Sequence, residues 1–220
     1  EPRLGLNWSI TPTQALKFGY GIHSQMQSLP VYFVETTNSD NTKYWRTCED
    51  LDFSKSQHFI LGYTNKLGKQ LNLKIETYLQ DLWNIPIENK SNSFSVLNLG
   101  ATYYNGTQDK DSLVNEGLGK NYGVEMTLEK FLDHNWYFLV TSSLFKSLYK
   151  PGDGIWRNTV FSSNYATNAL IGFEFPVNKT SSFDFNLRFI WSGGIRSLAI
   201  DKEASMAAGV VIYDESKAYS

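Results

Sequence analysis

The chain alternates apolar and polar residues over long stretches, and these stretches come in pairs joined by short polar turns. In residues 71–80, apolar side chains occupy every second position except Thr77. Residues 183–191 repeat the alternation, with mostly aromatic side chains on one side and mostly charged or amide side chains on the other. A period of two places successive side chains on opposite faces of a β-strand. The pattern therefore predicts strands with one apolar and one polar face.

Four hairpins follow from this alternation. Their strand pairs are predicted at 4–10 with 16–22, 57–66 with 70–83, 121–131 with 135–148, and 165–175 with 183–193. The short turns that close them are predicted at 11–14, 66–69, 132–135 and 176–179. Shorter strand-like runs are expected at 96–104 and 207–213, and no helix of useful length is expected. The predicted fold class is all-β with antiparallel strands.

The connections favour a membrane barrel over a soluble sandwich. All four tight turns fall at one end of the strands and every long loop falls at the other, as in outer-membrane barrels. The strands at 70–83 and 135–148 exceed the roughly 5 to 6 residues typical of soluble sheets. Aromatic residues also lie on the apolar side near strand ends, at Trp8, Tyr20, Tyr63, Trp136, Phe138 and Trp191. A soluble secreted β-sandwich that binds glycan or protein remains the alternative, and its apolar faces would pack against each other.

Composition narrows the classes of function. The 20 basic and 22 acidic residues nearly balance, so charge gives no reason to expect nucleic acid as a partner. The single cysteine, Cys48, excludes an internal disulfide and a multi-cysteine metal site. The three histidines lack metal-ligand spacing, and no catalytic motif is present. We therefore expect neither an enzyme nor a bound cofactor or metal.

Several short motifs resemble one family of proteins. The run 119–125 reads Gly-Lys-Asn-Tyr-Gly-Val-Glu and resembles the GxxYGxE strand in barrels of TonB-dependent outer-membrane receptors. Stretches further along the chain resemble the same family, at 147–150, 156–159, 164–168, 172–175 and 193–196. Their style is similar to that of the Bacteroidetes-type receptors. The resemblance is clearest over 115–200 and compatible with 1–114.

The resemblance implies a 22-stranded transmembrane barrel in the bacterial outer membrane. In that family a plug domain blocks the barrel, and energy passed from TonB drives import of a scarce nutrient such as a siderophore, a glycan or cobalamin. Residues 1–220 would be a partial barrel domain, an excised segment without the plug and the C-terminal strands. Its partners would be outer-membrane lipids, the imported ligand, and TonB through the absent N-terminal part. A passive outer-membrane channel or an adhesion-type barrel is a third alternative.

Five loop residues are candidates for ligand contact. Aromatic and arginine side chains in loops suit sugar faces, iron chelates and anionic groups. The candidates are Trp45, Trp83, Trp156, Arg157 and Arg196. The alternative role for each of them is contact with other loop residues.

Overall fold

The computed structural model describes residues 1–37, 44–100, 110 and 112–219, without the side chains of 36, 37, 44, 45 and 215. Its strands are β1 (Arg3–Ser9), β2 (Gln14–Gln25), β3 (Glu35–Thr37), β4 (Tyr44–Arg46), β5 (Ser54–Leu67), β6 (Leu71–Glu88), β7 (Leu113–Asp133), β8 (Trp136–Lys150), β9 (Arg157–Asn158), β10 (Tyr165–Asn178), β11 (Ser181–Ser192), β12 (Ala199–Ile200) and β13 (Tyr213–Asp214). Short 3₁₀ turns lie at Leu29–Phe33, Val96–Asn98 and Glu215–Lys217, and one helix, α1, spans Lys202–Ala208.

Eight long strands form one antiparallel sheet in the order β1-β2-β5-β6-β7-β8-β10-β11, and β9 pairs with the loop end of β8. Strands β1 and β11 are its two edges. The four predicted hairpins and the antiparallel all-β fold are confirmed. Several strands extend beyond the predicted bounds at their loop ends, most of all β7, which has 21 residues.

The turn of the third hairpin is shorter than predicted. Strand β7 continues through Asp133 and β8 begins at Trp136, so only His134 and Asn135 form the turn. Both have positive φ, 52° and 67°, which is the backbone of a type I′ turn. This turn twists in the same sense as the flanking strands and lets them continue to its edge. The fourth turn is likewise displaced, to residues 179–180.

The two shorter strand-like runs differ from the prediction over most of the residues that the structure describes. Residues 96–98 form a 3₁₀ turn, in which the Ser95 hydroxyl accepts a hydrogen bond from the Leu97 N–H, and residues 101–104 lie outside the described part. Within 207–213, α1 extends to Ala208 and only Tyr213 belongs to a strand. The Asp201 carboxylate accepts the Ala204 N–H at 3.0 Å, and Gly209, with φ of 66°, follows the helix. A capping residue and a C-terminal glycine therefore define a helix where alternation suggested a strand.

The strand register gives the sheet an apolar face and a polar face. One cross-strand row of the apolar face contains Leu6, Phe18, Leu61, Thr77, Val124 and Leu144. Large side chains of the apolar face are exposed, for example 63 % for Leu6 in this row and 57 % for Phe189 in another row. No second sheet covers this face within the described residues. The sandwich alternative required packed apolar faces, and the described residues show no such packing against this sheet.

The buried apolar cluster of the chain lies among the loops. It contains Val31, Val34, Cys48, Leu51 and Leu113. Asn115 fastens the loop that precedes β5 to the sheet, because its side-chain amide donates to the carbonyl groups of Asp52 and Asn84 and accepts the Asp52 N–H. The described part of the loop before β5 thus packs against one end of the sheet.

No helix in the described ranges combines the length and the apolar character needed to cross a membrane.

Candidate functional site

A hydrogen-bonded row crosses the polar face near the loop end of the sheet. His58, Gln80 and Asn121 are register neighbours on β5, β6 and β7. The Asn121 amide donates to Gln80 Oε1 at 2.7 Å, and Gln80 Nε2 lies 2.9 Å from His58 Nε2. These contacts hold three polar side chains side by side across three strands.

The row continues towards the β1 edge through a second histidine. The rings of His23 and His58 meet edge to face, with their centroids 5.1 Å apart. Arg3 Nη2 lies 3.3 Å from His23 Nδ1, and the Ser56 hydroxyl lies 3.0 Å from His58 Nε2. The polar face therefore presents guanidinium, imidazole and amide groups in one continuous band, which suits polar or anionic ligands.

Carboxylates lie further along the polar face towards the turns. Glu76 and Glu125 are directly opposite on β6 and β7, and Lys74 forms an ion pair with Glu76. The alternation predicted charged and amide side chains on one face of each strand, and the register confirms that Glu76 and Glu125 share a face. Among the described residues, no group of three or more metal-ligating side chains is present.

Tyr149 anchors the loops above the sheet. Its side chain is fully buried, its hydroxyl donates to the Ser93 carbonyl at 3.0 Å, and its ring meets that of Tyr219 at a centroid distance of 6.0 Å. The Tyr219 carbonyl accepts hydrogen bonds from Asn158 Nδ2 and Arg196 Nη1. Residues around Tyr149, Asn158, Arg196 and Tyr219 form what we call the loop cluster.

Arg157 makes an internal ion pair in the loop cluster. Its Nη1 and Nη2 atoms bind the two oxygens of Asp153 at 2.9 and 2.7 Å, and the residue is only 8 % exposed. Burial opposes ionisation of Asp153, but the hydrogen bonds from Arg157 and from the Ile155 N–H outweigh it and lower the pKa of the carboxyl group. The guanidinium therefore shapes the 153–157 loop.

Arg196 also contacts loop carbonyls. Its Nε donates to the Ser162 carbonyl at 2.8 Å, and its backbone N–H donates to the Val160 carbonyl at 3.0 Å. The structure thus brings two of the five predicted residues, Arg157 and Arg196, into the loop cluster, where both make internal contacts.

The three candidate tryptophans differ in position. Trp156 is 44 % exposed next to Arg157. Trp83 is half-buried on the loop end of β6, opposite Lys55 of β5. Trp45 lies on β4, and its side chain is outside the described part of the structure. Ligand contact by these residues stays a prediction.

A cavity of about 190 Å³ opens within the loop cluster, between Ser93, Phe94, Asn98, Lys110 and Tyr219. The Lys110 ammonium lies 4.7 Å from the centroid of the Phe94 ring and 3.4 Å from Glu88 Oε2. Sequence reasoning missed this cavity because its walls come from three separate loops. It also missed the row of His58, Gln80 and Asn121, although the alternation itself placed all three on the polar face.

Comparison with known proteins identifies the fold. No protein-family model matches the chain, and no curated protein matches its sequence. Solved structures do match. The ferric-catecholate import receptor Fiu of Escherichia coli K12 aligns with a TM-score of 0.59 and 15 % identity, over 89 % of this chain and 24 % of that one. The FrpB iron transporter of Neisseria meningitidis aligns with a TM-score of 0.59 and 11 % identity, over 89 % and 27 %.

The outer-membrane alcaligin receptor FauA of Bordetella pertussis gives a TM-score of 0.54 and 15 % identity, over 88 % of this chain and 29 % of that one. These proteins are TonB-dependent outer-membrane receptors, and the match covers their barrel region. The chain has the fold of a TonB-dependent receptor barrel. It spans about a quarter of the length of these structures. In such a barrel the apolar face is directed towards lipid and the polar face towards the lumen.

Proposed function

We propose that this chain is wall and loops of a TonB-dependent receptor that imports a scarce nutrient through the bacterial outer membrane. The observation that carries the proposal is the exposed apolar face of a sheet with a receptor-barrel fold. Exposed apolar surface on this scale is costly in water and favourable in a bilayer. The row of imidazole and amide groups on the polar face would face the lumen and keep the ligand's path hydrated. The loops would capture the ligand.

The parent protein would supply what this chain lacks. We propose that residues 1–220 are a partial barrel domain, and that a plug and further strands in the full-length protein complete the importer. TonB would contact the part that precedes this chain. The motifs over 115–200 support the Bacteroidetes type within the family. The chemistry of the site supports transport, so we propose neither an enzymatic activity nor a cofactor.

The first test is made on the full-length protein. Membrane fractionation should place it in the outer membrane, and its gel mobility should change on boiling because a closed barrel resists detergent until heated. A soluble product with the same mobility before and after heating would contradict the proposal. Uptake that persists after loss of TonB would favour the passive channel instead.

We propose Trp83, Trp156 and Trp45 as ligand contacts, with Arg157 and Arg196 positioning the loops around them. Trp156 supports this division, because its ring is exposed next to an arginine that is already bound to Asp153. The structural neighbours are named for a ferric catecholate, for iron and for alcaligin, so iron chelates are the first ligands to test. Glycans and cobalamin are the ligands to test next.

Replacement of Trp156 tests the loop contact. Trp156→Ala should weaken uptake or binding of a ferric chelate, while the heat-dependent mobility of the barrel stays unchanged. Ile155→Ala is a matched control, because Ile155 is also exposed and adjacent in the chain. Equal uptake by wild type and Trp156→Ala would remove Trp156 from the set of contacts.

A further inference from the structure

A groove lies on the apolar face of the sheet, beside Gly123. It has a volume of about 470 Å³, and Thr77, Tyr122, Val124, Leu144 and Lys146 contribute to its wall. These residues belong to the two apolar-face rows on either side of Gly123. The other lining residues are Asn164 and the row between these two, Tyr78, Gly123 and Phe145, which forms the floor of the groove. The polar-face rows on either side of that row, which contain Glu125 and Asn121, contribute no residue. The groove is therefore on the apolar face, towards lipid in the proposed barrel.

The groove has one charged end. Lys146 is exposed and lies in the same cross-strand row as Tyr122, on the side of the groove nearer the loops. The side chain of Lys146 has no ion-pair partner among the described residues. An unpaired ammonium on a lipid-directed face is unfavourable at the bilayer midplane and is tolerated near the interface.

A second lysine lies in the next cross-strand row of the apolar face, closer to the loops. Lys120 is on the same face, diagonally across from Lys146, and its Nζ lies 3.5 Å from Asp81 Oδ1. Gln57 completes this row on β5 and donates to Asp81 Oδ2 at 3.3 Å. The row next to the groove on the loop side therefore contains polar side chains. The two lysines thus lie at the loop-side boundary of the apolar part of this face.

We propose that this groove binds an anionic lipid of the leaflet on the loop side, with one acyl chain against Val124 and Leu144 and its phosphate at Lys146 and Lys120. The groove matches both parts of such a lipid. Its mainly apolar wall suits an acyl chain, and Lys146, the one free cation among the described residues of the wall, lies at the membrane interface, where the phosphate would be. Long loops of outer-membrane barrels are extracellular. In the proposed barrel the leaflet on the loop side is therefore the outer one, and the occupant is its phosphorylated, multiply acylated glycolipid. The proposal rests on the membrane location given above.

The groove owes its depth to small side chains. Thr77 is the one polar residue in an otherwise apolar stretch of β6, and its hydroxyl donates to the Gly123 carbonyl at 3.2 Å. With this hydrogen bond made within the sheet, the outer surface of Thr77 adds no unsatisfied polar group to the groove. A short residue therefore sits between larger neighbours and leaves room for an acyl chain.

The test measures lipid retained by the full-length protein after purification in detergent, by native mass spectrometry with added phosphorylated glycolipid. Lys146→Gln should lower the retained fraction several-fold, and Lys146→Gln with Lys120→Gln should lower it further. Lys17→Gln is the matched control, because Lys17 is an exposed lysine on the polar face. It should retain lipid as wild type does.

The acyl-chain site is tested separately by filling the groove. Val124→Phe should reduce retention, whereas Val140→Phe should not, because Val140 lies on the same face two rows away and outside the groove. Equal retention by Lys146→Gln and Lys17→Gln, in a protein that is heat-modifiable and located in the outer membrane, would overturn the lipid site alone. Retention of glycerophospholipid in preference to the glycolipid would overturn the assigned occupant. A protein absent from the membrane would instead overturn the proposed function.

Discussion

At the scale of single residues, the Asp153–Arg157 pair shows how one contact can set the form of a loop. Both side chains are largely buried, 16 % and 7 % exposed, and both carboxylate oxygens are bound. A bidentate arginine–carboxylate pair fixes orientation as well as distance. Trp156 lies between these two residues in the chain, so the position of its side chain depends on the pair.

Arg157→Ala should open this loop. The substitution leaves the Asp153 carboxylate without its main partner, and breaking such a pair costs about 3 to 5 kcal/mol of local stability. Protease cleavage within 151–158 should then be faster by about 100- to 4,000-fold, in the regime where cleavage follows the population of the open form. Arg46→Ala is the control, because the Arg46–Glu35 pair is about half exposed and such pairs contribute about 0 to 1 kcal/mol. Equal cleavage in both variants would contradict the structural role of Arg157.

The same pair predicts a pH dependence. The pKa of Asp153 is lowered in the folded loop, so its contribution to stability is fully present above the ordinary value of 3.8 and is lost as the pH falls through the lowered value. Loop cleavage by an acid-stable protease should stay slow at neutral pH and rise only below about pH 3.8. Asp153→Asn should cleave faster at neutral pH and lose this dependence. An unchanged profile in Asp153→Asn would assign the transition to another group.

At the scale of elements, glycine and aromatic residues fit together across strands of the polar face. Tyr137 of β8 lies over Gly172 of β10, and its hydroxyl donates to Asn186 Oδ1 of β11 at 2.7 Å. A Cβ atom added at Gly172 would stand 2.3 Å from ring atoms of Tyr137. Three strands are thus linked by one ring that occupies the space above a glycine.

Gly172→Ala should therefore destabilise the β8–β10–β11 region. The added methyl group forces the Tyr137 ring to move, and such overpacking costs about 1 to 3 kcal/mol. The temperature at which the heat-dependent mobility shift occurs should fall. Gly19→Ala is the control, since its added Cβ meets only Ile60 at an ordinary 3.7 Å. In a Tyr137→Ala background the cost of Gly172→Ala should largely disappear, and a cost that persists would rule out the ring as its cause.

The boundaries of the strands show where tertiary packing overrides the local sequence pattern. Strands β6 and β7 continue past the predicted bounds because Ile85, Ile87 and Leu113 are buried against the loops. Register shifts after Leu82 and Ile85 accompany this change from a sheet with two different faces to strand ends that are buried. Alternation predicts a strand with two different faces, and it fails where the loops bury both faces.

At the scale of the whole molecule, the polarity of the sheet is inverted relative to a soluble protein. The well-buried apolar cluster lies among the loops, and the strands expose their apolar side chains. Among the described residues β1 and β11 each pair with one strand only, so the sheet has both an exposed apolar surface and two open strand edges. Both properties are accounted for by a larger closed barrel in lipid.

Adjacent residues on β11 test this arrangement. Spin labels at Phe185→Cys and Asn186→Cys in the full-length protein should report opposite environments, because Phe185 is on the apolar face and Asn186 on the polar face. Oxygen, which concentrates in lipid, should relax the label at 185 more strongly. A water-soluble nickel complex should relax the label at 186. Cys48 is 1 % exposed and should not take up label. Equal accessibility at the two positions would contradict a membrane wall.

By itself the sequence determined the strand pairs, the end of the sheet that carries the turns, and the membership of each face, because a period of two depends only on local backbone geometry. Thr77, Glu125 and His58 could all be assigned to their faces in this way. Only the tertiary structure shows that the apolar side chains of the sheet are exposed within the described residues, because exposure depends on which other elements pack against the sheet. It also decided that Arg157 pairs with Asp153 and that Arg196 binds loop carbonyls. Arg196 reaches carbonyl groups of a separate loop, so its contacts depend on how the loops fold over the sheet. Asp153 and Arg157 lie four residues apart in one loop, but alternation carries no information about the backbone turn that brings them together.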